Sequence, residues 1–216
     1  MKTMRIPLAG LLRRPAARAS ALLDQVMPQY EVASRHSVIV RAPAAQVYAA
    51  LTAVPFGQAP VTRVLFGLRR LPATLLGRRV RPVVGAPAAG LAATARRAGF
   101  VVLAEHPGRE ILLGIAGSFW RLAGNVARID SVDAWCTYQQ PGTARATMAV
   151  RVEPIDYQTA RLSTETRVQA LGRRARVLFR LYWTLIAPFS GLLRRVMLRQ
   201  VKTAAERQTG LFLLTP

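Results

Sequence analysis

The chain has 216 residues, 51% of them hydrophobic, which is ample for one well-buried core and excludes disorder of the whole chain. Its formal net charge is +21, carried by 29 arginines with only Lys2 and Lys202 beside them. The best candidate for a membrane span, residues 181–193, has 13 residues and contains Pro188, too short to span a bilayer, so the chain reads as soluble.

Residues 1–29, rich in Arg, Ala and Leu, read as a basic helical arm peripheral to a single domain over residues 30–208, with residues 209–216 as a tail. Lys2, Arg5 and a short apolar stretch superficially resemble a targeting segment. Arg13, Arg14 and Arg18 follow at once without a cleavage site, and the expected location is the cytoplasm. Residues 36–41, His-Ser-Val-Ile-Val-Arg, have the β-branched content of a strand, which Pro43 stops and from which it opens a helix over residues 44–54. A second short helix is expected over residues 61–71, ending before Pro72, and residues 72–98 read as loop because Gly and Pro break every period.

Residues 99–105 and 110–117 read as two apolar strands joined by the His106-Pro-Gly-Arg109 connection, the clearest hairpin in the chain. Gly114 and Gly117 within the second strand point to a bulge or to close approach of another segment. Phe119-Trp120 and residues 126–129 suggest a further strand, and residues 130–138 fit either a strand or a short helix capped by Asp130 or Ser131. Residues 144–152 and 161–170 alternate as strands with one wet face. Ala146, Met148, Val150 and Val152 point to the core, opposite Arg145, Thr147 and Arg151. Residues 173–208 form one long helix whose apolar stripe includes Leu181, Tyr182, Leu185 and Phe189, with Pro188 as a kink. So long an amphipathic helix needs a concave sheet to bury it, which gives an α+β fold of the helix-grip kind: a curved antiparallel sheet wrapped around the C-terminal helix.

This order, with His36-Ser-Val-Ile-Val-Arg-Ala-Pro43 leading into a helix, resembles the START-like or Bet v 1-like superfamily, including polyketide cyclase-like proteins. The Gly-Ile-Ala-Gly-Ser-Phe-Trp120 segment and Leu162-Ser-Thr-Glu-Thr-Arg-Val168 before the last helix sharpen it. The resemblance covers roughly residues 30–206 and favours a short helix at residues 130–138. It implies an internal cavity for a small hydrophobic ligand, lipid-like or polyketide-like, and carries no catalytic signature or cofactor. The lining expected from the strand faces and the helix stripe is Ile111, Leu113, Ile115, Phe119, Trp120, Met148, Val150, Leu181, Tyr182, Leu185 and Phe189.

A cyclase or dehydrase using the same cavity needs a titratable pair, for which Glu165 with His36 or Arg167 is the candidate set. Alternation places Glu165 and Arg167 on the charged face of their strand, where the simpler reading is a solvated outer face paired with Arg145 or Arg151. His106, in a tight turn, is the weaker histidine. A metal site is not expected, since neither His-x-x-x-His nor Cys-x-x-Cys occurs, and Cys136 is the only cysteine. No Gly-x-Ser-x-Gly elbow supports a serine nucleophile.

The arginines come as scattered pairs without a docking motif, so the bland account is a compositional bias, nucleic acid is not favoured, and an anionic membrane is a possible peripheral partner. The last helix, whose stripe is flanked by Arg173, Arg174, Arg176, Arg180, Arg194, Arg195 and Arg199, fits either an interfacial membrane helix or a gripped helix with a basic outer face.

Overall fold

The computed structural model describes residues 20–56, 90–118 and 126–212. The expected helix at 61–71, the loop through residue 89, most of the N-terminal arm, and Phe119 and Trp120 lie outside the described residues.

The elements run α1 (Ala21–Val26), β1 (Val32–Val40), α2 (Ala44–Ala53), α3 (Leu91–Arg97), β2 (Val101–His106), β3 (Glu110–Gly117), α4 (Val132–Cys136), β4 (Ala144–Pro154), β5 (Ala160–Ala170) and α5 (Arg173–Phe212). The strands form one open antiparallel sheet in the order β1-β5-β4-β3-β2, against which the long C-terminal helix packs. This is the expected α+β helix-grip arrangement. The first strand crosses to the far side of the last, because β1 pairs with β5 along its whole length, from Val32 opposite Val168 to Val40 opposite Ala160.

Local chemistry explains each junction. The β2–β3 hairpin turns at Gly108, whose φ of 78° lies in the left-handed region that only glycine enters freely. Helix α4 starts at Ser131, whose Oγ accepts from the Ala134 N–H at 3.1 Å, which decides between the strand and helix readings of that segment. Val126 makes only an isolated bridge to Gly117, so the strand expected at residues 126–129 does not form as a full element. Glu31 joins the sheet to α5: its carboxylate accepts from the Ala170 N–H at 2.7 Å and from Arg176 Nε at 2.9 Å. Helix α5 passes the expected end at residue 208 and continues through Pro188 as one assigned helix.

The inner face carries two apolar clusters. One unites Val40, Ile111, Leu113, Met148, Val150 and Leu162 with α2 and the C-terminal half of α5 through Leu198 and Val201. The other unites Val32, Ile115, Ala146 and Val168 with Ala175 and Phe179 at the start of α5.

The outer face departs from the alternation reading. Leu23, Met27, Leu103, Leu112, Ala116, Trp135 and Ala149 form a third buried cluster there, so β3 is buried along its entire length. The end of the supposedly peripheral arm supplies the cover: α1 lays Leu23 and Met27 on the sheet, and Ser20 caps α1 while donating to the buried Glu110 carboxylate. Trp135 fills the space that Gly114 leaves, since a Cβ there would stand 2.8 Å from Trp135 Nε1 and 2.7 Å from Leu103 Cδ1. The glycine thus serves close approach, and the irregularity in the ladder falls at residues 102–104 of β2 instead.

Candidate functional site

Two polar groups sit back to back on opposite faces of β5, because successive strand side chains alternate. On the outer face Arg167, only 1% exposed, extends Nε to Glu165 Oε1 at 2.8 Å, Nη1 to the Met27 carbonyl at 3.0 Å and Nη2 to Asp24 Oδ1 at 2.6 Å. Its guanidinium lies 4.6 Å from the Tyr30 ring centroid. Arg35 closes the cluster on the other side of Glu165 through Nε at 2.7 Å and Nη2 at 2.9 Å. Burial works against the Arg167 charge, but the hydrogen bonds to Asp24 and Glu165 outweigh it and hold the group ionised.

The outer face at Glu165 and Arg167 is therefore sealed rather than solvated. The two residues pair with each other and with Arg35 and Asp24, not with Arg145 or Arg151. Every nitrogen of Arg167 is occupied: Nε by Glu165 on the same strand, and the two Nη atoms by Met27 and Asp24, which fastens α1 to the sheet while Tyr30 stacks on the guanidinium. Arg145 has a separate role, stacked 5.1 Å from the Trp135 ring and donating to Gln169 Oε1 at 2.6 Å.

On the inner face the registers place His36 opposite Thr164 and Ser34 opposite Thr166, between the two apolar clusters. His36 thus faces away from Glu165, and the structure does not bring this candidate pair together. Ser34 Oγ lies 3.2 Å from His36 Nε2. From above, α5 approaches so closely that a Cβ on Gly191 would be 3.3 Å from His36 Cε1.

Burial, and after it the positive charges of Arg195 and Arg194, hold the His36 pKa below its ordinary value, so the imidazole is neutral at pH 7, carrying one N–H donor and one lone pair. Arg194 is partly exposed as a residue, yet its Nε is sealed, and burial pulls its pKa down to about 10, which leaves it charged. Among the described residues, neither Arg194 Nε nor the buried Thr164 Oγ1 has a hydrogen-bond partner. Arg145 Nε and Glu153 Oε2 share this condition elsewhere in the fold, and sealed polar atoms without partners are uncommon and costly in folded proteins.

The expected lining divides three ways. Ile111, Leu113, Met148 and Val150 are buried in the cluster beneath α2 and α5, while Ile115 belongs to the second cluster, against which Tyr182 packs. Leu181, Leu185 and Phe189 lie on the exposed side of α5, so they do not face the sheet. The two remaining residues, Phe119 and Trp120, are not described. Sequence reasoning passed over Thr164, Gly191 and Arg194. Thr164 and Thr166 interrupting an otherwise apolar inward row was the available signal. An open hollow of about 300 Å³ lies at the far end of β5, lined by Gln139, Pro141, Gln169, Leu171 and Arg176, and contains none of the expected lining.

No family model matches the chain, and no curated protein matches it. Among solved structures, it is similar to a conserved protein from Geobacillus kaustophilus at 11% identity, covering 82% of this chain and 96% of that one with a TM-score of 0.39. It is also similar to the di-domain ARO/CYC BexL of the BE-7585A biosynthetic pathway at 15% identity, covering 81% of this chain and 46% of that one with a TM-score of 0.34. At such identities and scores neither neighbour says what this chain binds.

Proposed function

We propose that the protein binds a small amphipathic molecule whose polar end, a carboxylate or conjugated carbonyl oxygen, is held by His36, Thr164 and Arg194. Its apolar body lies along Met148 and Ile115, bounded by Phe100, which packs on both inner clusters, and by Tyr182. The observation that carries this reading is the pair of sealed, unpartnered donors, Thr164 Oγ1 on β5 and Arg194 Nε on α5, beside the Ser34–His36 contact between the two inner apolar clusters. A charged donor of this kind gains most from an anionic or strongly polarised oxygen. Ligand sites of this composition, mainly apolar with a few convergent polar groups, fix orientation through the polar end.

A second reading uses the same atoms for chemistry. A neutral His36 held beside a cationic Arg194 has the parts of a base that takes a proton next to a carbonyl and a cation that stabilises the resulting enolate. This is the cyclase or dehydrase possibility with His36 and Arg194, not Glu165 and Arg167, as the pair.

Native mass spectrometry of protein purified in high salt, followed by solvent extraction, tests the binding reading. A stoichiometric acid or carbonyl compound of amphipathic character is the expected result. Protein that purifies empty and takes up no long-chain carboxylate overturns it.

A further inference from the structure

Helix α5 is exposed where an ordinary gripped helix would show polar side chains. Val177, Leu178, Leu181, Leu185, Phe189 and Leu192 all stand on its open side, with Leu181 68% and Leu185 71% exposed. At 100° per residue they fall within one stripe about a third of the helix circumference wide, and at 1.5 Å rise per residue the stripe is about 22 Å long. The buried side of the same helix is occupied by Ala175, Phe179, Leu198, Val201 and Ala205, so the stripe is not a surplus of core. A contiguous exposed apolar patch of this size marks an interaction surface.

The charges around it identify the occupant. Arg173, Arg174 and Arg180 precede or border the stripe, Arg195 and Arg199 follow it on the same side, and all five are exposed. Helix α5 holds one acidic residue, Glu206, more than a turn beyond the last of these arginines and tied to Lys202. An apolar stripe spanning 16 residues, bordered by Arg180, with cations at both ends and no anions, suits a plane that is apolar inside and negatively charged at its rim. No described helix is long and apolar enough to cross a membrane, which leaves a helix lying in the interface.

We infer that the open face of α5 docks the protein on anionic membrane surfaces, with Leu181, Leu185 and Phe189 inserted at the acyl boundary and Arg173, Arg174, Arg195 and Arg199 on the lipid phosphates. This docking is independent of the ligand group on the inner face, which the opposite side of the helix covers.

Vesicle flotation separates charge from insertion. The wild type is mixed with vesicles of phosphatidylcholine alone or with phosphatidylglycerol added, at low and at high salt. The test variant is L181Q/L185Q/F189Q, which keeps the net charge and changes only exposed side chains. The wild type binds the anionic vesicles, binding weakens as salt rises, and the triple variant binds about tenfold or more weakly at equal salt. Three results overturn the inference: no binding of the wild type to anionic vesicles, unchanged binding of the triple variant, or a stable dimer by light scattering that the triple variant abolishes. The last assigns the stripe to a second copy of the chain. Circular dichroism of the variant confirms that it is folded.

Discussion

Arg167 reaches Asp24 at 2.6 Å, so a buried guanidinium on the last strand fastens the first described helix to the outer face of the sheet. The contact spans most of the chain and makes α1 part of the fold rather than an appendage.

Removing Arg167 strands the buried Glu165 with only Arg35 and frees the Met27 carbonyl. Arg167→Ala is expected to destabilise the protein by about 3–5 kcal/mol in urea titration, as for breaking a buried pair from one side. Asp24, whose side chain is 58% exposed, contributes far less, and Asp24→Asn is expected to cost about 1 kcal/mol or less. Neither variant alters ligand recognition, because both residues lie on the wrong face for it.

Gly114 has no room for a side chain. Gly114→Ala puts a Cβ against Leu103 and Trp135 and is expected to cost about 1–3 kcal/mol through overpacking, with a change in tryptophan emission as Trp135 is displaced. Leu23→Ala, which empties space in the same cluster, is expected to cost about 2–5 kcal/mol.

His36 makes stability depend on pH in a defined direction. Its folded pKa is depressed, mainly by burial, so between that value and the ordinary 6.5 the unfolded chain binds the extra proton. The contribution is fully present above pH 6.5 and is lost as pH falls through the folded value. His36→Gln is expected to flatten this part of the pH profile in urea titrations. The depressed Glu206 carboxylate, which burial raises but Lys202 and the Arg41 N–H lower more, remains in the variant and acts only in the more acidic carboxylate range.

Gly191 lets α5 pass over His36. Gly191→Ala gains about 1 kcal/mol of helix propensity and loses a comparable amount by crowding the imidazole. Stability is expected to stay within about 1 kcal/mol of the wild type. The His36 resonances, followed by NMR, are expected to shift and the affinity for a carboxylate ligand to fall.

The sequence made the sheet legible because its signals are local: the Pro-Gly hairpin, the alternation in β4 and β5, and the Pro43 helix start each depend on a few neighbouring residues. It also placed Thr164 and Thr166 on one face and Glu165 and Arg167 on the other. What alternation does not encode is what covers a face. Glu165 and Arg167 read as solvated because the cover, Tyr30 with Asp24 of α1 and Met27 at its end, comes from a segment more than a hundred residues away. The α5 stripe misled for a related reason. An apolar helix face announces burial against something, and here the residues that meet the sheet are Ala175, Phe179, Leu198 and Val201, while Leu181, Leu185 and Phe189 face outward. Arg194 reads from the sequence as one more surface cation, and only the folded chain shows that its Nε is sealed.

The most direct test of the inner-face group compares a fluorescent long-chain carboxylate with its methyl ester, binding to the wild type and to Arg194→Met, which keeps the aliphatic length and removes the charge. A charge-assisted hydrogen bond predicts that the wild type prefers the acid by about tenfold or more and that the variant loses this preference while still binding the ester. Equal affinity of the wild type for acid and ester, or an acid preference that survives in the variant, would contradict the assignment of His36, Thr164 and Arg194 as the site for the ligand's polar end.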